Sequence, residues 1–288
     1  MKKIFLLILI TLVTFLSSGC FSRDSMEGIT VYTTVYPVTF LAEELYGYNS
    51  TVKSVYPKGV DNKTYKISDK KIKDYAKESL LFIYNGQSDE KEMAAKFLKY
   101  NHKIRIIDVS QGLSDKPYVE ELWAAPSNYL MMALNIKNGL KEYIDNQFIH
   151  EEIEENYDQI KINISKIEAE LKVISELSDN KVIVTDTDAL LFLKKYGFEV
   201  ISLDENQNKV LETTITKVKR LISEEKISYI FLFDNYKESE LVRDLIANTK
   251  IKLAPLTTKN YLLEEDINKS YLEIMQNNLE TIKKEIDE

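Results

Sequence analysis

Histidine and cysteine are almost missing from this chain: its 288 residues include two histidines and one cysteine. A single thiol allows no intrachain disulfide. Two imidazoles, His102 and His150, are too few for a Ser-His-Asp arrangement or a metal-activated water. Glycine is scarce as well, with eight residues, and the sequence has no Gly-x-Ser-x-Gly elbow, no glycine-rich phosphate loop and no His-Glu-x-x-His. These absences set the expectation that the chain is not an enzyme. Positive charge is not in excess either: 38 Lys and Arg stand against 46 Asp and Glu, a formal charge of -8, so there is no basic face for nucleic acid. No apolar run is long enough to span a bilayer, because the longest candidate, residues 4–15, falls short of the roughly 20 residues a span needs.

What the amino terminus does contain is a processing signal. Lys2 and Lys3 precede that apolar run, and small residues follow it, which is the layout of a secretory leader over residues 1–19. Leu16-Ser17-Ser18-Gly19-Cys20 resembles a bacterial lipobox, in which the thiol is lipidated and becomes the first residue of a tethered extracytoplasmic protein. Cys20 would then be consumed by lipid, and loss of the two leader lysines would leave 36 basic against 46 acidic residues. Residues 20–28 are polar and aperiodic and read as a tether.

Beyond the tether the pattern alternates. β-rich runs at 29–35, 52–56, 80–84 and 104–109 are separated by helical patterns through Phe40, Leu41 and Leu45, then 68–77 opened by Ser68, then 91–98. Pro126 opens another helix with Leu130, Met131, Leu134, Ile136 and Leu140 on its apolar face. A long charged helix follows over 151–177, with Ile153, Tyr157, Ile160, Ile164, Ile167, Leu171 and Ile174 at three- and four-residue spacing. It is read either as a strut between two lobes or as an ordinary long surface helix. Alternation then restarts: strands at 182–185, 199–203, 229–233 and 251–254, helices at 189–196 (closed by Gly197), 213–225, 238–247 and 267–286. The expected fold is α/β, with two lobes of mostly parallel sheet joined by a rigid helix and a ligand cleft between them. The expected boundaries are an amino-terminal lobe over 29–145, a linking helix over 146–178 and a carboxyl-terminal lobe over 179–288. In open α/β sheets ligands bind beyond the carboxyl ends of strands, so the segments after each strand matter most.

Those segments carry a resemblance. Thr33-Thr34-Val35-Tyr36-Pro37, Pro57-Lys58-Gly59-Val60-Asp61 leading to Tyr65, and Phe82-Ile83-Tyr84-Asn85-Gly86 are similar to the first lobe of the manganese- and zinc-type ABC-transporter solute-binding lipoproteins. Leu122-Trp123 with Pro126, Val184-Thr185 with Asp188-Ala189, and Lys195-Tyr196-Gly197 fall where that family has matching motifs. The resemblance covers nearly the whole mature chain. It implies an extracytoplasmic, lipid-anchored monomer that captures a small ligand, a divalent metal in the family, in an interlobe cleft for an ABC permease and its ATPase.

The resemblance also implies a ligand set, and here the sequence departs from it. The place of the family's first histidine reads Lys63, followed by Tyr65; the second, two residues before Trp123, reads Glu121; the third reads Thr187, between Asp186 and Asp188; the fourth, acidic in the family, falls near Thr258 or Lys259. High-affinity Zn²⁺ sites use imidazole or thiolate, which this set lacks. Mn²⁺ accepts oxygen donors, and Glu121, Asp186, Asp188, Asp61 and Asp234 are candidates. An ammonium at Lys63 opposes either ion, since two cations about 4 Å apart repel by several kcal/mol at a protein-like dielectric. A Lys63–Glu121 pair standing in for the metal is the cheaper arrangement. Asp186 and Asp188 are equally readable as caps of the helix near Ala189, and Tyr65 and Trp123 as packing residues. The rival reading from another class is a surface adhesin or scaffold that kept the fold and lost metal binding; a carrier of a non-metal solute is a further one.

Overall fold

A computed structural model describes residues 26–113, 122–205, 209–233, 237–257 and 270–287. Among the described residues eight strands form two four-stranded sheets. The first holds β1 (Ile29–Thr33), β2 (Ser50–Ser54), β3 (Leu81–Tyr84) and β4 (Arg105–Asp108) in the order β2-β1-β3-β4. The second holds β5 (Val182–Thr185), β6 (Glu199–Ser202), β7 (Tyr229–Phe233) and β8 (Lys252–Leu256) in the equivalent order β6-β5-β7-β8. Every pairing is parallel, with Thr33 beside Ser54 and Ile83, and Thr185 beside Ser202 and Phe231. The same βα plan is thus used twice, and the β1/β3 and β5/β7 neighbours mark where each sheet reverses its winding, the place such sheets offer to ligands.

The helices are α1 (Tyr36–Tyr46), α2 (Asp69–Glu78), α3 (Glu90–Tyr100), α4 (Pro126–Tyr143), α5 (Gln147–Leu177), α6 (Glu212–Ser223), α7 (Glu240–Ile246) and α8 (Tyr271–Asp287). Sheets covered on both faces need apolar residues on both, and β3 obliges with Leu81, Phe82 and Ile83 all buried. Phe82 faces outward onto α2 and α3, stacking on Phe97 at 4.1 Å between ring centroids, with Ile72 and Ala76 beside it. Leu81 and Ile83 face inward onto α1, α4 and α5. In the second sheet Val184, Ile201 and Ile230 pack outward on α6 and α7, and Ile183, Phe231 and Phe233 pack inward.

The inward faces of the two sheets share one apolar core. α5 runs through it, burying Ile149, Ile153, Ile160, Ile164, Ile167, Leu171 and Ile174 as one stripe. Asn146 caps this helix, its Oδ1 accepting from Phe148 N at 3.0 Å. The 31 residues of α5 give it a length of about 46 Å.

Most expected elements are present with ends displaced by one to four residues. One changes type: residues 188–196 are a 3-10 helix, Asp188–Tyr196. Leu190, Leu193 and Tyr196 recur every third residue, which is the eclipsed spacing of a 3-10 helix, and the two leucines are buried while Tyr196 reaches α5. Gly197 ends it at φ +103, a left-handed conformation that favours glycine. Among the described residues no helix is long and apolar enough to cross a membrane.

Candidate functional site

At the carboxyl edge of the first sheet the backbone is tied down by small hydroxyls. Thr33 Oγ1 and Thr39 Oγ1 lie 2.8 Å apart as one hydrogen bond, and Ser54 Oγ donates to the Thr34 carbonyl at 2.7 Å. Thr34 itself is fully buried, and its hydroxyl has no hydrogen-bond partner among the described residues. Pro37, in the first turn of α1, has no N–H to lose there.

The loop after β2 carries the first family position. Asp61 makes a tight turn: its Oδ1 accepts from Lys63 N at 2.9 Å and its carbonyl accepts from Tyr65 N at 2.9 Å. Lys63 is exposed on that turn. The Tyr65 hydroxyl accepts from Lys71 Nζ at 3.1 Å, and Lys71 also lies over the Tyr65 ring, so this ring is held against α2. After β3, Gly86 N donates to Asp108 Oδ1 at 2.9 Å, and that oxygen also accepts from Ser110 N at 2.9 Å and Ser110 Oγ at 2.6 Å. Asp108 thereby joins the ends of β3 and β4.

At the carboxyl edge of the second sheet, Asp186 is engaged by the next βα unit. Ser239 N donates to Asp186 Oδ2 at 2.7 Å and Ser239 Oγ to Oδ1 at 2.9 Å, while Ser239 Oγ caps α7 by accepting from Val242 N. Burial raises the Asp186 carboxyl above the usual carboxylate range; the two Ser239 hydrogen bonds oppose that, and the nearby Asp204 and Glu205 charges add to it. Thr187 Oγ1 accepts from Ala189 N at 3.1 Å and so caps the 3-10 helix, and Asp188 N donates to Asp204 Oδ2 at 3.1 Å. The Lys195-Tyr196-Gly197 motif fastens this segment to α5, since Lys195 Nζ and Tyr196 OH both donate to Glu168 Oε1, at 3.0 and 2.7 Å.

Aromatic residues close the space between the sheets. Tyr271, at the start of α8, lies 4.8 Å from the Tyr129 ring and 6.5 Å from the Tyr36 ring, and its hydroxyl donates to the Trp123 carbonyl at 3.2 Å. Trp123 is buried, and its indole N–H has no hydrogen-bond partner among the described residues. Burial pushes the Tyr36 hydroxyl up to about 12, helped by the charges of Glu43, Glu273 and Glu44. A small apolar cavity of about 30 Å³ lies beside this cluster, among Ala124, Ile167, Leu171, Leu190 and Met275.

The expected site residues therefore divide three ways. Lys63 and Tyr65 sit on the first sheet's loop; Asp186, Thr187 and Asp188 sit on the second sheet's edge; Trp123 is in the core between them. Glu121, Thr258, Lys259, Asp234 and Cys20 lie outside the described residues, and with Glu121 goes any view of a Lys63–Glu121 pair. Among the described residues no three His, Cys, Asp or Glu side chains converge to hold a metal ion. His102 is exposed in the turn before β4, and His150 Nε2 is 2.7 Å from the Ile144 carbonyl. Sequence reasoning missed Asp108, Asp204, Ser239 and Tyr271. Only Ser239 left a local signal, as a hydroxyl one residue ahead of α7.

Two equivalent parallel sheets whose inward faces share one helical core define a two-sheet α/β protein. The family model "Zinc-uptake complex component A periplasmic" matches residues 31–285, and the chain belongs to that family, whose members are transport components rather than enzymes. Solved structures of the same fold include the Zn(II)-bound ZnuA-like domain of Streptococcus pneumoniae AdcA (18% identity, 91% of this chain and 100% of that one, TM-score 0.71). The metal-dependent lipoprotein YcdH of Bacillus subtilis is as similar (19%, 90% and 100%, TM-score 0.72). So is Lmb of Streptococcus agalactiae, described as bifunctional with adhesin and metal-transporting activity (20%, 90% and 100%, TM-score 0.72).

Proposed function

We propose that this chain is the extracytoplasmic, Cys20-lipidated receptor of a metal-type ABC transporter, taking its ligand between the carboxyl edges of the two sheets and passing it to a permease driven by an ATPase. The family match over residues 31–285 carries this reading. Lys63, Tyr65, Glu121, Trp123, Thr187 and Thr258 line the cleft in this proposal, and Glu121, Asp186 and Asp188 are its metal donors. An all-oxygen donor set suits Mn²⁺ better than Zn²⁺. Ser239 already donates to both Asp186 oxygens, so a metal at Asp186 must share or displace these bonds; Asp188 is half-buried in the first turn after Thr187.

A second reading has its own support. Lys63 stands at the place that the resemblance gives to a metal ligand, and its ammonium opposes a cation there, which favours a surface adhesin or scaffold that no longer takes a metal, or a carrier of a non-metal solute. Thermal unfolding of chelator-stripped protein, titrated with Mn²⁺, Zn²⁺, Fe²⁺ and a panel of small solutes, separates these. A true ligand at 100 times its dissociation constant adds about 2.7 kcal/mol. Stabilisation by one divalent cation supports metal capture, stabilisation by a solute supports a non-metal cargo, and no stabilisation by anything supports the adhesin.

A further inference from the structure

Tyr48 and Phe148 are the most exposed large hydrophobic residues among those described, at 90% and 83%, and the fold places both at one end. Tyr48 is in the 3-10 turn Gly47–Asn49 that follows α1, and Phe148 is in the first turn of α5. Asn49 Nδ2 donates to Glu152 Oε2 at 2.9 Å, and Glu152, four residues after Phe148, shares its helix face. The chain enters the fold at this same end: Gly28 N donates to the Asn49 carbonyl at 2.7 Å, and Tyr46 OH donates to the Met26 carbonyl.

Only five residues separate Cys20 from Met26, a reach of at most about 22 Å even when fully extended. A lipid on Cys20 therefore holds this end, and not the far end of α5, close to the bilayer. Leu177, at that far end, is about 43 Å from Phe148 along the helix. We propose that the Tyr48/Phe148 end of the fold rests on the bilayer that holds the Cys20 lipid, with both rings at the level of the headgroups, where aromatic side chains are favoured. This rests on the lipid-anchor reading above. Glu151, three residues after Phe148 in α5, and Glu27, next to the Gly28 that pairs with Asn49, are exposed carboxylates at this end, so the contact is apolar and not an attraction to anionic lipid. β1 begins at this end, so the carboxyl edge of its sheet opens away from the bilayer, and the resting receptor presents its cleft outward.

The test uses the full chain, purified from membranes and reconstituted in phosphatidylcholine vesicles with brominated acyl chains, which quench nearby tryptophan. Phe148→Trp and Leu177→Trp variants are compared against the shared background of Trp123, the protein's only tryptophan and 1% exposed. Emission from the Phe148→Trp chain is expected to fall on brominated relative to plain vesicles, with no such loss for Leu177→Trp. Vesicle-bound protein in which Phe148→Trp is unquenched, or in which both variants are quenched alike, overturns the proposed orientation and leaves the anchor standing. Wild-type chain that stays off vesicles as completely as Cys20→Ala overturns the anchor, and the orientation with it.

Discussion

Gly86 shows how closely one residue is fitted at the edge of the first sheet. A Cβ there would lie 2.1 Å from Asp108 Oδ2 and 2.6 Å from its Cγ, so any side chain must evict the carboxylate that Gly86 N and Ser110 hold. Gly86→Ala is expected to destabilise by about 2–3 kcal/mol in urea unfolding, the cost of orphaning part-buried donors. Asp108→Ala should cost a similar amount, and the double variant much less than the sum, because the clash is gone once Asp108 is. Asp186 makes a different prediction. Its folded pKa is raised, so the stability it contributes is fully present below the unfolded pKa and is lost as pH rises through the folded one. Asp186→Asn removes that titration, so the stability of wild type relative to this variant should increase as pH falls from neutral through the carboxylate range, measured by urea unfolding at several pH values. The sequence shows Asn85-Gly86 and Asp186 as features of interest. It does not show Asp108 and Ser239, 22 and 53 residues further along, because those partners are set by which strands lie side by side.

Elements were more legible than partners, since burial leaves a periodic trace. The isoleucine stripe of α5 was readable at every position from Ile153 to Ile174, and all of these isoleucines are in the core. Truncating one of them, Ile164→Ala, is expected to cost about 2–5 kcal/mol, and Asn146→Ala about 1 kcal/mol through loss of the cap, both by urea unfolding. The expected helix over 189–196 is present as a 3-10 helix; over only nine residues its three-residue repeat overlaps the α-helical one, so the pattern does not tell the two types apart. A cap did not always announce a helix start: Ser68, which accepts from Lys71 N, marks the start of α2, whereas Asn146, which caps α5, lies five residues ahead of the expected start at 151 because the apolar stripe only becomes regular there.

At the scale of the molecule, a core continuous between both sheets predicts that they unfold together. Calorimetry should show one transition, and two resolved transitions would mean that the sheets are stabilised separately. Tyr271 is a test of this coupling, because its ring and hydroxyl bridge α8 to Tyr129, Tyr36 and Trp123; Tyr271→Ala should cost about 3–5 kcal/mol and broaden the transition. The two parallel sheets were readable from alternation alone, whereas the proposed cleft chemistry rests on a departure from a family pattern, at Lys63 and Thr187. That departure is tested most directly by equilibrium competition for Zn²⁺ between chelator-stripped protein and a fluorescent chelator, comparing wild type with Lys63→His/Thr187→His. Wild type is expected to leave Zn²⁺ with a nanomolar chelator, and the double variant to bind about 100-fold tighter or better, a gain of about 2.7 kcal/mol. A nanomolar Zn²⁺ complex of the wild-type chain would contradict a cleft built on oxygen donors.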